Sequence, residues 1–346
     1  MTGYDSLLRG SIAALLAAAV LAAPVHAGAA DGSKPAKQLF GAAALPAMLA
    51  PQPVGFYAKG CLAGGVALPA DGPTWQVMRP SRNRNWGHPD LVALVERLSR
   101  DAAASDGWPG LLVGDMAQPR GGPMITGHAS HQVGLDADIW LTPMPARTLS
   151  RQEREEVSAT SMLKKDSLYV DPKIWTQARA NLLMRAASYP EVQRIFIHPG
   201  IKKMLCDTWK GDRSDMGKLR PYWGHHYHFH IRIKCPPGAT GCTPQADIGR
   251  GDGCDKSLAW WFTDEPWKPA KPDAKPKPKP REVMLSDLPA ACSAVLDARS
   301  PASAAAATVR AGGVAAPAAP GAAAAISAMA LAPSAIPVPT PRPANP

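Results

Sequence analysis

The strongest constraint in this chain is a nine-residue run, His225-His226-Tyr227-His228-Phe229-His230-Ile231-Arg232-Ile233. Successive side chains of a β-strand point to opposite faces. A strand here puts Tyr227, Phe229, Ile231 and Ile233 on one apolar face and lines up His226, His228, His230 and Arg232 on the other. Four basic side chains in a row are costly to bury unless something uses them, and a metal ion would. A second segment, Gly127 to Trp140, alternates in the same way. From Leu135 onward, Leu135, Ala137 and Ile139 share one face while Asp136 and Asp138 share the other. Gly134 lets the preceding loop turn into that strand. His131 lies on the loop, seven residues before Asp138.

Taken singly, each segment is ordinary: a structural His-x-His pair, or a loop histidine and a strand carboxylate in plain hydrogen bonds. Together they supply the imidazole and carboxylate donors of a metal centre. A catalytic zinc takes three N/O ligands from the protein and keeps a fourth position for water. It lowers the pKa of that water to ~7 and polarises a carbonyl. Histidines beyond the ligands can carry protons, because imidazole titrates near neutrality. The chain has no H-E-x-x-H helix, which excludes a thermolysin-type site.

The flanks of the 346-residue chain indicate export. Arg9 precedes an Ala/Leu-rich stretch, Ser11 to Ala23, and Val25-His26-Ala27 places small residues before a cut after Ala27. The apolar run is too short for a comfortable membrane span, although an uncleaved anchor is the alternative reading. Residues 1–27 are therefore expected to be a signal peptide, and the mature chain a soluble periplasmic protein with no membrane span. Six cysteines, none in a C-x-x-C pair, then suggest three disulfides, with fifteen pairings open. The formal charge of +10 favours an acidic envelope polymer or anionic lipid as partner, and export argues against nucleic acid. Part of that charge sits in a tail, at Lys271, Lys275, Lys277 and Lys279.

Composition divides the rest of the chain. Residues 28–55 read as a loosely ordered Ala/Pro/Gly leader and 56–267 as a globular domain. Residues 268–280 alternate Lys and Pro in an extended linker. The segment 285–297, around Cys292, becomes a strap on the domain if that cysteine is bridged, so 268–299 is linker plus strap. From 300 to 346 the chain is Ala/Pro low complexity, expected to be disordered. Within the domain, helices are predicted from Asp90 to Asp101, after a His88-Pro89 start signal, and from Ile174 to Ala187. Strands are predicted over Leu111 to Gly114 and Arg194 to His198. The elements mix without a βαβ rhythm, so the fold class is α+β: a small antiparallel sheet flanked by helices, with the metal in a groove on the sheet.

The two segments together resemble the penicillin-insensitive murein endopeptidases, within the wider group of D-Ala-D-Ala peptidases, lysostaphin-like enzymes and hedgehog domains. The wider group is marked by H-x6-D followed by H-x-H, here His131 to Asp138 and His228-Phe229-His230. The closer likeness covers Gly72 to Pro89, Gly114-Asp115-Met116, Gly127 to Asp138, the histidine strand and the spacing from Cys206 to Cys254, in all roughly Gly55 to Asp297. The resemblance implies a hedgehog/D-Ala-D-Ala peptidase-like fold and a zinc held by His131, Asp138 and His230. His228 would act as general base, with His225 at the position of a further active-site histidine. It implies cleavage of D-alanyl–meso-diaminopimelyl cross-links in peptidoglycan, unaffected by penicillin because no serine is acylated. It also implies the disulfides Cys61–Cys292, Cys206–Cys254 and Cys235–Cys242. Some members carry a second zinc at a dimer interface. His128 and Asp166 match that site, but Tyr169 stands where its histidine would be, which puts the second zinc and the homodimer in question.

Other residues carry two readings each. Arg79, Arg82 and Arg84 either contact the carboxylates of peptide stems or form a solvated loop between Trp75 and Trp86. Asp115 either orients a ligand histidine or sits in a turn. Asp136 either supports the metal site or is a satisfied surface carboxylate, and His198, ahead of Pro199, is expected to be structural. Two other functions compete with the endopeptidase. A D-Ala-D-Ala carboxypeptidase or dipeptidase would be expected to place a glutamate base two or three residues before H-x-H, where this chain has His225 and His226. A non-catalytic zinc-containing wall-binding module would bind metal without turnover.

Overall fold

A computed structural model describes residues 33–268 and 281–308. The signal peptide expected over 1–27, the Lys/Pro alternation and nearly all of the Ala/Pro tail lie outside the described residues. Among those described, no helix is long and apolar enough to cross a membrane. The strands are β1 (Gln52–Phe56), β2 (Lys59–Ala63), β3 (Val66–Ala67), β4 (Asp71–Gly72), β5 (Trp75–Val77), β6 (Trp86–Gly87), β7 (Leu111–Val113), β8 (Asp136–Trp140), β9 (Val192–Ile197), β10 (Leu219–Pro221) and β11 (His228–Ile233). The helices are α1 (Ala36–Gly41), α2 (Pro89–Ser105), α3 (Arg151–Glu156), α4 (Gln177–Ser188), α5 (Pro199–Thr208), α6 (Lys256–Ala259) and α7 (Ala291–Asp297).

The chain is α+β, but its sheet is neither small nor purely antiparallel. Seven strands form one sheet in the order β10-β9-β11-β8-β7-β5-β4. The central pairs β11/β8 and β11/β9 are antiparallel, while β10/β9 and β5/β7 run parallel. The parallel partners β5 and β10 were hidden in the sequence because three-residue strands are too short to show a period.

The alternation of the two central strands sets the layers. Ala137 and Ile139 of β8 and Phe229, Ile231 and Ile233 of β11 are buried in the main core with Leu91, Val95 and Leu98 of α2 and Leu182 and Leu183 of α4. The opposite faces carry Asp136 and Asp138, and His228, His230 and Arg232. His88 caps α2: its Nδ1 accepts from Asp90 N–H at 3.2 Å, with Pro89 as first residue. His198 caps α5 in the same manner, Nδ1 accepting from Gly200 N–H at 3.0 Å, which makes it a structural histidine.

The histidine strand begins later than alternation suggested. Residues 225–227 precede the strand in irregular, bent backbone, so Tyr227 is exposed rather than on the apolar face, and His226 leaves the histidine row to meet Ser161 Oγ at 2.9 Å.

The leader and the strap also depart from a simple reading. Over 36–55 the leader is ordered: α1 buries Ala36 and Phe40, and β1 pairs with β2. Phe40, Leu288, Cys292 and Val295 form a second, small core. Cys61–Cys292 fastens α7 to β2, and Arg120 donates to the Val295, Leu296 and Ala298 carbonyls. Cys206–Cys254 and Cys235–Cys242 are the other two bridges. Composition missed this packing because the apolar contacts of the leader lie some 250 residues away in sequence.

Candidate metal centre

Strand register decides which of the polar side chains meet. In the β11/β8 ladder His230 lies opposite Asp138, Arg232 opposite Asp136, and His228 opposite Trp140. Cross-strand neighbours on one face lie within reach of each other, so the register places His230 beside Asp138. His131 arrives from the loop with φ 65°, a left-handed backbone that few non-glycine residues adopt. Its N–H donates to Asp136 Oδ2 at 3.0 Å, which fixes that turn. Gly134, at φ 71°, completes the entry into β8; a side chain there would strike Leu62 and the His88 nitrogen.

Asp138 is the hub. Its Oδ1 lies 3.4 Å from His131 Nε2 and 3.6 Å from His230 Nδ1. Its Oδ2 lies 3.5 Å from His128 Nδ1 and 3.6 Å from His228 Nε2. Ligands ~2.0 Å from a tetrahedral zinc stand roughly 3.3 Å apart. The Oδ1 contacts with His131 and His230 therefore have the spacing of ligands around one ion. His128, His131 and Asp138 each offer a donor atom within 4.8 Å of the others.

Ten buried side-chain polar atoms among the described residues lack a hydrogen bond, and five belong to this cluster: both ring nitrogens of His131, Asp138 Oδ1, His228 Nδ1 and His230 Nε2. An unsatisfied buried polar atom costs ~1–3 kcal/mol. A cation between His131 Nε2 and Asp138 Oδ1 would relieve two of these atoms at once, so the residues present fit a metal.

The surroundings hold the cluster in place. Asp136 is fully buried, and Arg232 grips it with Nε at 2.7 Å and a second guanidinium nitrogen at 2.9 Å. Asp136 Oδ1 also faces His230 Nε2 at 3.3 Å. It thus supports His230 and the His131 turn and is not a surface group. Asp115 Oδ2 meets His128 Nε2 at 3.0 Å, Arg82 at 3.0 Å and Arg84 at 2.9 Å. Asp115 therefore orients an imidazole, and two of the three loop arginines serve first to hold Asp115. The third, Arg79, donates to the Arg154 and Val157 carbonyls.

Without metal, burial would raise the pKa of Asp138, but the facing His228, His131 and His128 outweigh it and hold the carboxyl well below its usual range. Burial lowers His228 to about 4, against the pull of Asp138. Burial also lowers His225 to about 4, assisted by His230. Both are neutral at pH 7 and able to accept a proton. His225 lies 4.8 Å from His228 ring to ring, and its Nδ1 is hydrogen-bonded to the Trp223 carbonyl. A groove of about 300 Å³ opens on the cluster, lined by Arg82, Asp115, His128, Asp138, Tyr227 and His228 among others.

The predicted residues do not all converge. Asp166 sits on an exposed turn with φ 52°, and among the described residues it has no contact with His128. His128 instead joins the Asp138 cluster. Tyr169 is exposed and stacked on Phe262 at 5.2 Å. Sequence reasoning missed the groove wall at Ser158 and Ala159, where no motif signals proximity.

A buried His/Asp donor set opening on a groove could hold a metal ion, which is what a metallopeptidase needs. The chain belongs to the penicillin-insensitive murein endopeptidase family, whose sequence profile matches residues 53–297. It is 44% identical over 233 residues to the penicillin-insensitive murein endopeptidase of Haemophilus influenzae, covering 67% of this chain and 80% of that protein. It is 40% identical to the protein of the same name from Yersinia enterocolitica, over 73% of this chain and 88% of the relative. The Klebsiella pneumoniae enzyme is also 40% identical, over 71% and 86%.

Proposed function

We propose that this chain is a periplasmic zinc endopeptidase that cleaves D-alanyl–meso-diaminopimelyl cross-links in peptidoglycan. The observation that carries the reading is the convergence of His131 Nε2, Asp138 Oδ1 and His230 Nδ1, the first two buried without a hydrogen bond, beside a groove in a chain of this family. His131 Nε2, Asp138 Oδ1 and His230 Nδ1 would hold the zinc. Asp138, His228 and His230 on one sheet face, with His131 on the adjoining loop, also support a hedgehog/D-Ala-D-Ala peptidase-like fold. When bound, the zinc supplies Lewis-acid polarisation of the scissile carbonyl and activates the attacking water.

The chain's own residues do the rest. Asp136 and Arg232 fix His230 and the His131 turn. His228, neutral at pH 7, takes a proton from the attacking water at Nε2, the nitrogen on the Asp138 side, as the water oxygen bonds to the D-alanyl carbonyl carbon. It returns that proton to the diaminopimelyl nitrogen as the C–N bond breaks, leaving a carboxylic acid and an amine, which become carboxylate and ammonium when the acid proton passes to the amine. His225 keeps its proton on Nδ1, donated to the Trp223 carbonyl, so its Nε2 lone pair stays available beside His228.

Cross-linked muropeptide dimers treated with the purified chain, with and without chelator, test this by mass spectrometry. Cleavage that chelator stops and zinc restores is expected. Dimers left intact with zinc present would sink the endopeptidase reading. His228→Ala should lose ~10²–10⁴-fold in kcat while keeping its zinc; loss of the metal instead would make His228 a ligand. One zinc per chain is expected, and two, with a homodimer in solution, would instead support the second site at His128 and Asp166.

A further inference from the structure

Three arginines approach the groove, and two of them are spent. Arg79 donates through both terminal nitrogens to the Arg154 and Val157 carbonyls, each at 2.7 Å, and lies 5.3 Å from the Trp140 ring centre. Arg84 is 9% exposed and divided between Asp115 and the Thr126 carbonyl, both at 2.9 Å. The Arg82 side chain is 47% exposed and makes one hydrogen bond among the described residues, to Asp115 at 3.0 Å. A guanidinium has five N–H donors, so most of those on Arg82, which lines the groove, make no hydrogen bond among the described residues. Asp115 offers one negative charge to two guanidiniums, which leaves a surplus positive charge beside Asp138 and His228. Arg82 ends a short 3-10 turn, Pro80–Arg82, flanked by left-handed Arg79 (φ 57°) and Asn83 (φ 51°). Strained non-glycine backbone on both sides of a cation fixes where its side chain starts.

Resting on the endopeptidase reading, we propose that Arg82 binds the free carboxylate on the carbon attached to the scissile nitrogen. In a peptide stem, one amino-acid centre of diaminopimelate spends its amino and carboxyl groups in the chain. The other centre spends its amino group in the cross-link, so its carboxylate is left over next to the bond to be cut. A planar guanidinium fork suits a carboxylate in two-bond geometry better than an ammonium does. Arg82 is therefore a specificity residue that selects cross-links whose diaminopimelyl carboxyl is free over those in which it is amidated.

The test uses zinc-loaded enzyme and two muropeptide dimers that differ only in carboxylate or carboxamide at this carbon. Wild type should show kcat/KM ~10-fold or more lower on the carboxamide. Arg82→Gln should lose a similar factor on the carboxylate dimer, chiefly through KM, and treat the two substrates alike. Arg82→Lys should recover part of the preference. The monomer product carrying the free carboxylate should inhibit wild type better than its amide, and Arg82→Gln should erase that ratio. Equal losses by Arg82→Gln on both substrates, a wild type indifferent to amidation, or loss of zinc from the variant would each overturn the inference. Wild type that cleaves neither dimer would overturn the endopeptidase reading, and this inference with it.

Discussion

Asp136→Asn is the most searching single change, because it keeps shape and removes only charge and acceptors. Asp136 accepts from Arg232 at 2.7 and 2.9 Å and from the His131 N–H at 3.0 Å, with no exposed surface. An asparagine offers one acceptor oxygen to these three donors, and its NH₂ faces a donor where Oδ2 stood. Arg232, itself buried, becomes an uncompensated cation. Removing one partner of a buried pair costs ~3–5 kcal/mol. For a domain of this size that lowers Tm by roughly 10 °C or more. Losing a supporting carboxylate should also weaken zinc binding ~10–100-fold. Thermal unfolding of chelated protein isolates the first effect, and competition with a zinc indicator measures the second. The double variant Asp136→Asn/Arg232→Met should regain about 2 kcal/mol, because the stranded cation is gone, without regaining zinc affinity. Unchanged Tm and zinc affinity in Asp136→Asn would refute the reasoning; so would recovery of both in the double variant.

Burial, helped by His226 and His225, lowers the His198 pKa from its ordinary 6.5 to about 4. Between those values the unfolded chain binds a proton that the folded chain does not, so stability is full above pH 6.5 and falls as pH drops, by roughly 3 kcal/mol at pH 4. His198→Asn keeps a helix-capping acceptor and should flatten this acid limb in urea titrations, and an unchanged slope would rule the mechanism out. Cys61 and Cys292 close a loop spanning 231 positions, so Cys61→Ser/Cys292→Ser should lose up to ~5 kcal/mol on a chain-entropy account. Early proteolysis between the domain and α7 should accompany that loss, and a cleavage pattern like wild type would argue that Arg120 alone secures the strap.

The sequence by itself determined the two faces of β8 and β11, because side-chain alternation is a local property of extended backbone. It thereby named Asp138, His228 and His230, with His131 on the loop before them, and the resemblance implied which of them are ligands and which is the base. The helical start at His88 was also legible, since a cap and a following proline act within three residues, whereas the sequence reading placed no helix after His198. Only the tertiary structure decided the rest. Register between strands some 90 residues apart put His230 against Asp138 and Arg232 against Asp136. Loop packing gave Asp115 its imidazole and two arginines, and left Arg82 with donors to spare. The seven-stranded mixed sheet, and the leader folded under the strap, depend on contacts between distant segments, and no local pattern records them.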